Sequence, residues 1–266
     1  MLIMLRSKVL FFCVFFWFLA GYTGELGAQV LNIERERLKA DDNKWIGSAK
    51  FSLNLTANTQ KFTEFGLDLH LQYKDEKNLY LFLTDNELIK SQSDDFSNKG
   101  LVHFRYNRDL TKVIIFEAFT QAQYNKVLSL RFRGLAGVGP RFKILKKEKF
   151  RVYSGIAYMY EYEVPVPKEG IIMDTEEPGS YHRISSYVSM SVKLSDNFFI
   201  SSTTYFQPRV DLISDYRLSL NIEAIFKISE RLSFELSYQH TTDNMPLEGM
   251  PRRVYSIQNK LVLDFK

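Results

Sequence analysis

From Trp45 onward, apolar side chains recur at every second position. Phe51, Leu53 and Leu55 alternate with Ser52, Asn54 and Thr56, and Phe65, Leu67, Leu69, Leu71 and Tyr73 with Gly66, Asp68, His70 and Gln72. Leu128, Leu130 and Phe132 alternate with Ser129, Arg131 and Arg133, and Tyr216, Leu218, Leu220 and Ile222 with Arg217, Ser219, Asn221 and Glu223. Successive side chains of an extended strand point to opposite faces, whereas a helix needs apolar residues every three or four positions. Twelve segments carry the pattern, near 45–57, 62–74, 77–89, 98–109, 112–124, 128–143, 149–162, 182–194, 197–207, 215–228, 231–241 and 254–266. Only Lys77 to Asn86 and Lys112 to Phe119 are apolar on both faces. Evenly spaced strands of this kind make either a sandwich or a barrel.

The connections separate the two. Asp75-Glu76-Lys77, Asp109-Leu110-Thr111, Lys146-Lys147-Glu148, Ser195-Asp196 and Ser229-Glu230 are tight, polar and occupy every second connection. The long connections, Lys90 to Ser97, Val164 to Tyr181, Pro208 to Ser214 and Thr242 to Arg253, all fall in the other set, which also holds two short ones at Thr59-Gln60-Lys61 and Asn125-Lys126. Short turns at one end, long loops at the other and an even strand number are the pattern of a transmembrane barrel. The segments also reach the roughly 9–11 residues a tilted membrane strand needs. The expectation is an all-β fold: an antiparallel up-and-down barrel of about 12 strands over residues 45–266, in the outer membrane of a Gram-negative bacterium. Closure would satisfy every backbone N–H and C=O without water, as a bilayer requires.

The residues before it read as export. Arg6 and Lys8 precede an unbroken apolar run from Val9 to Ala20, and Leu26-Gly27-Ala28 supplies small residues for cleavage. The layout is that of a signal peptide, 1–28, since the run is shorter than the ~20 residues of a spanning helix. Cys13, the single cysteine, leaves with it. Residues 29–44, with Glu34-Arg35-Glu36-Arg37, form a charged lead-in.

Aromatic residues make up 15% of a chain whose mean hydropathy is only −0.21, so their placement needs a reason. They gather on the apolar face near strand ends. Trp45, Tyr73, Tyr106, Phe142, Phe198, Phe226 and Phe265 would ring the periplasmic rim, and Phe65, Tyr124, Tyr160, Tyr162, Phe206, Tyr216, Tyr238 and Tyr255 the outer rim. Two such girdles belong at the boundaries of a bilayer. With apolar residues outward, Arg105, Arg131, Arg133 and Arg141 and the acids Glu117, Glu161, Glu223 and Glu235 would form a charged lumen wall. Two readings stay open: ion pairs that fill a narrow barrel, or a hydrated pore whose arginines favour anionic solutes. Outer-membrane lipids and lipopolysaccharide are the expected partners, with Pro251-Arg252-Arg253 at the outer rim a candidate contact. The net charge of +4 is too mild to imply nucleic acid.

FRYNRDL at 104–110, EAFTQAQYNKV at 117–127, FRGLAGVGPRFK at 132–143 and YMYEYE at 158–163 extend the reading. With these motifs the chain resembles the bacterial outer-membrane family called domain of unknown function 481, also known as salt-induced outer-membrane proteins. Gly134, Gly137, Gly139 and Pro140 within one strand are the most distinctive of them, and bending of that strand is the expected role of the glycines. The resemblance implies a barrel in the outer membrane and supplies no catalytic residue, cofactor or substrate. The last segment, with Leu261, Leu263 and Phe265 on one face, looks like the signal that the barrel-insertion machinery reads.

Chemistry finds little footing. His70, His103, His182 and His240 each lack the Ser two positions on that a barrel phospholipase would use, and Ser185, three after His182, falls on the opposite strand face. No zinc cluster and no phosphate loop is present, and no cofactor is expected. The acidic 164–181 loop reads as solvated, not as a metal site. The expectation is therefore a non-enzymatic narrow pore or a structural envelope protein. The alternatives are a surface enzyme acting on lipid or lipopolysaccharide, and a soluble secreted β-protein with its apolar face turned inward around a ligand.

Overall fold

A computed structural model describes residues 45–265, apart from 58–60, 92–95, 127–129, 166–177 and 247–249. The expected signal peptide and charged lead-in and most of the 164–181 loop lie outside the described residues. The strands are β1 (Trp45–Ala57), β2 (Lys61–Lys74), β3 (Asn78–Ser91), β4 (Phe96–Asp109), β5 (Ile114–Asn125), β6 (Leu130–Lys146), β7 (Phe150–Pro165), β8 (Gly179–Ser195), β9 (Phe198–Pro208), β10 (Tyr216–Lys227), β11 (Leu232–Asp243) and β12 (Arg253–Phe265). Each pairs antiparallel with its sequence neighbours, and β1 pairs with β12 to close the barrel. Closure removes the exposed edges that make open sheets aggregate.

The tight turns are set by their own side chains. The Asp75 carboxylate accepts hydrogen bonds from the backbone N–H of Lys77 and Asn78, and the Thr111 hydroxyl from Val113 and Ile114. Ser195 accepts from Asn197, and Ser229 from Arg231 and Leu232. Asx and Ser/Thr turns of this type satisfy the donors that a sharp reversal leaves open. The hydrogen bonds from Asn78 hold the Asp75 carboxyl below its usual 3.8. A depressed folded pKa means that the turn's contribution is present above 3.8 and is lost as acid carries the pH below it. Asp75→Asn is thus expected to flatten the acid side of the barrel's unfolding curve in detergent, and an unchanged curve would deny the turn that role.

The apolar face is outside. Leu69, Leu71, Phe82, Phe104, Val138, Ile156, Val188, Leu218, Leu261 and Leu263 are exposed, while alternate positions such as Ser52, His70, Arg105, Ser189, Thr203 and Asn221 are buried in the interior. This inverts a soluble protein and overturns the alternative of a barrel with an apolar interior. The two segments with apolar residues on both faces resolve as well. In β3 the inward residues are Leu81 and Leu83, with Leu79 packed against them, so a small apolar cluster stands inside the lumen near the tight-turn end. In β5, Ile115 and Glu117 are buried. The outward partners in these strands, Tyr80 and Phe116, complete an aromatic chain that alternation alone leaves broken. Rings run Trp45–Tyr73–Tyr80–Tyr106–Phe116 with centroids 4.8, 6.1, 5.1 and 6.3 Å apart.

The glycines of β6 do more than bend the strand. Gly137 lies under the ring of its cross-strand partner Phe119, and Gly139 meets β7 backbone: a Cβ there would stand 2.0 Å from the Ile156 carbonyl oxygen. The β6–β7 register has no partners at Gly139 and Pro140, resuming at Arg141–Gly155. Close approach of backbone and ring, not bending alone, is what these glycines admit. Gly47 under Phe265, Gly100 under Tyr124 and Gly155 under Tyr187 repeat the ring-over-glycine pairing.

Candidate functional site

Three linked groups of polar side chains occupy the interior. The largest lies toward the long-loop end, on β6 to β11. The Glu161 carboxylate accepts from Arg217 at 2.6 and 2.8 Å and stands 3.4 Å from Arg183. Glu163 is shared by Arg133 and Arg217, at 2.9 and 3.1 Å. Arg217 also donates to Asp243, and Arg183 to Asp215. Asp215 accepts in turn from Arg209, which forks onto Asp211 in the loop after β9. That hydrogen-bonded fork holds Asp211 below the ordinary carboxylate range and raises Arg209. Every guanidinium in the group is met by a carboxylate, which is the condition for burying charge at tolerable cost.

A second group lies deeper. Arg105 stands 3.3 Å from Glu117, and the Tyr187 hydroxyl donates to both Glu117 oxygens while accepting from Arg141 at 2.8 Å. Arg141 lies 4.1 Å over the Tyr153 ring, and Arg105 lies 5.2 Å over Phe119. The bare Cα of Gly155 makes room for the Tyr187 ring, so the glycine positions the hydroxyl between acid and base. A third group lies opposite, on β1 to β4, β11 and β12: Lys260 with Asp68 at 2.6 Å, Lys50 with Glu235 at 3.2 Å, and Gln258 donating to Glu87, which also pairs with Lys99. The partners of Arg217–Glu161, Tyr187–Glu117 and Gln258–Glu87 are each three strands apart. These bonds are chords across the barrel, and they narrow it.

Two adjoining recesses lie among the described residues. The outer, of about 90 Å³, opens among Tyr181, Arg183, Asp215, Asp243, Met250 and Arg252. The inner, of about 50 Å³, is walled by Gln121, Gln123, Ser185, Tyr187, Tyr205 and Arg105. Arg133, Arg217 and Thr241 line both and form the partition between them. At ~10–15 Å³ per water, each holds a handful of waters.

Of the residues the sequence marks as the lumen wall, Arg105, Arg133, Arg141, Glu117, Glu161, Glu223 and Glu235 are buried in the interior, with Glu223 accepting from Ser201. They do not form one wall. All but Glu223 divide among the groups, and Arg141 pairs with aromatic rings and a phenol. Arg131 is a correction: it is exposed on the outside. The β6–β7 register shifts by one between Leu130 and Phe132, so Leu130 turns inward, Arg131 and Phe132 both lie outside, and Arg133 returns to the interior. Alternation cannot register a bulge. Glu163, Asp215, Asp243, Arg209 and Tyr187 join the site without having been singled out. Glu163 was legible as the second acid of YMYEYE, two residues beyond Glu161. The loop residues Arg209 and Asp215 are placed only by the fold.

Of the rim aromatics, Phe198 stacks on Phe226 at 4.5 Å, Phe206 lies 5.5 Å from Tyr216, and Tyr162 lies 6.5 Å from Phe132. Tyr160 sits 5.5 Å from the ring of His182, and Phe265 and Tyr124 cover glycines. Phe142, Tyr238 and Tyr255 alternate with the buried Arg141, Ser237 and Val254 and therefore face outward. His182 contacts the Tyr158 hydroxyl on the outside, while Ser185 is buried on the opposite face. Among the described residues no group of three or more His, Cys, Asp or Glu side chains is placed to hold a metal.

Solved structures similar to the chain include the NanC porin (9% identity, 83% of this chain and 99% of that one, TM-score 0.49) and the KdgM porin (8%, 84% and 98%, 0.43). Another is the COG4313 outer membrane channel from Pseudomonas putida F1 (9%, 92% and 100%, 0.49). At that identity none of their residues or solutes transfers. No protein of curated function matches. The family described as "Protein of unknown function, DUF481" matches residues 31–265, spanning the whole barrel with its glycine strand and its paired acids. The chain belongs to the DUF481 family.

Proposed function

We propose that the protein spans the outer membrane of a Gram-negative cell and serves as a narrow, non-enzymatic channel for small polar solutes. The solutes would pass through the outer recess, the Arg133–Arg217–Thr241 partition and the inner recess. The reading of location rests on the exposed apolar band, closed backbone pairing and aromatic rims, which together suit a hydrocarbon slab about 25 Å tall. The observation that carries the channel is the pair of polar recesses with one shared ionic partition. A barrel with a purely structural role would gain nothing from keeping hydrated space on both sides of it. The partition is close to neutral, because Arg133, Arg183 and Arg217 face Glu161, Glu163, Asp215 and Asp243. Strong anion selectivity is therefore not part of the proposal; the passage sorts by size and hydration.

Unitary conductance of the refolded barrel in a planar bilayer tests this. We expect small steps with weak charge selectivity. Absence of current both from the folded wild type and from a variant with the partition side chains shortened (Arg217→Ser with Glu161→Ser) would sink the channel and leave a structural envelope barrel. The chords across the lumen favour that second reading.

A further inference from the structure

The geometry points to a binding site on the outer surface of the barrel for the phosphate of an outer-leaflet glycolipid, with Arg131 as its principal ligand and Lys126 as the second. The site rests on the proposed outer-membrane location, with the long loops facing outward.

The bulge is the starting observation. Plain alternation in β6 would turn Leu130 toward lipid and Arg131 into the polar lumen beside Arg133. The structure does the reverse. Leu130 is 3% exposed within the lumen, and the guanidinium stands outside next to Phe132, which is 40% exposed. The same place is irregular on both sides of β6, because the β5–β6 register also shifts, between Gln123 and Asn125. A two-against-one bulge sends its two residues to the same face and re-aims a side chain. Hydrophobic partition opposes this outcome twice, once for the leucine placed among polar groups and once for the arginine placed on an apolar exterior. A strand that breaks its own pattern at such cost marks a place where a local rule yields to function.

The surroundings suit a phosphorylated sugar. Tyr124 lies opposite the bulge with its ring against Gly100, and Tyr162 flanks Phe132 at 6.5 Å, so two aromatic side chains border the bulge. Lys126 follows the Asn125–Leu130 pair at the top of the same hairpin and is exposed. Neither cation joins an ion pair among the described residues, whereas the interior arginines of the largest group all do. A guanidinium binds phosphate as a two-pronged fork, a short lysine beside it adds a point charge, and aromatic rings at this depth seat the sugar and the head of the acyl chains.

Retention of lipid A by the detergent-purified, refolded full barrel is the test, read by native mass spectrometry. Wild type should retain bisphosphorylated lipid A, whereas Arg131→Gln with Lys126→Gln should retain at least tenfold less. Dephosphorylated lipid A should bind wild type no better than that variant, and inorganic phosphate should not displace the lipid, which separates a lipid phosphate from a free one. Lys146→Gln with Lys147→Gln removes the same charge at the exposed β6–β7 turn, on the opposite end of the barrel, and should retain lipid as wild type does. Equal retention by the Arg131/Lys126 variant, equal loss in the Lys146/Lys147 control, displacement by inorganic phosphate or full binding of the dephosphorylated lipid would each overturn the site. Heat-modifiable migration confirms that every variant is folded. If the barrel fractionates with the outer membrane while the variants bind alike, this site fails alone. Recovery of the protein from the soluble periplasm would remove the membrane location as well.

Discussion

Arg217→Ala is expected to lower the stability of the barrel by about 3–5 kcal/mol, the cost of breaking a buried pair by removing one partner. Arg217 is the common donor to Glu161, Glu163 and Asp243. Its loss strands Glu161 most severely, since that carboxylate is 1% exposed and loses its hydrogen-bonded partner, keeping Arg183 at 3.4 Å and the nearby charge of Arg133. Glu163 retains Arg133. The urea midpoint of heat-modifiable migration reads the loss. The same change removes the side chain that both recesses share, so the surviving folded fraction should show larger unitary conductance than wild type. Arg217→Gln combined with Glu161→Gln should recover most of the stability, because Arg183 still pairs with Asp215 and Arg133 with Glu163, and the one carboxylate that loses its cation, Asp243, borders the outer recess where water reaches it. A single variant that unfolds and conducts as wild type does would show that the partition holds neither the barrel nor the passage.

Gly139→Ala is the second large effect, and it acts on assembly. The new Cβ would fall 2.0 Å from the Ile156 carbonyl oxygen and 2.6 Å from the Ala157 Cα. Both are backbone atoms of β7 that cannot rotate away, so β6 and β7 must separate where Pro140 already denies the ladder a donor. Folded barrel should be nearly absent after refolding. Gly137→Ala is the matched control. Its Cβ meets the Phe119 ring at 2.4 Å, and a ring can turn, so folding should survive with a loss of about 1–3 kcal/mol. Equal folding yields of the two variants would refute the distinction between backbone and ring contact.

Much of the fold was legible because its physics is local. Alternation at period two is written in every strand except β3 and the start of β5, and the turn-forming Asp75, Thr111, Ser195 and Ser229 announce the reversals. Even so, the strand ends run past the alternating core. β8 begins at Gly179, not near His182, because polar residues continue the hydrogen-bonded wall where no hydrophobic contrast marks it. The lumen was legible only as a face. That Arg133, Glu161 and Arg217 point inward follows from parity; that they meet does not, since Arg217 and Glu161 are 56 positions apart and three strands distant.

What the sequence alone determined, then, is the set of strands, their facing and the end at which the short turns lie. Each depends on residues one or two positions apart. The tertiary structure decided which charges share a partner, where the recesses fall, and which side of the wall Arg131 occupies. Those depend on the register between strands distant in sequence and on a one-residue slip in β6. Such a slip reverses the facing of the residues it touches, and composition and periodicity cannot carry it.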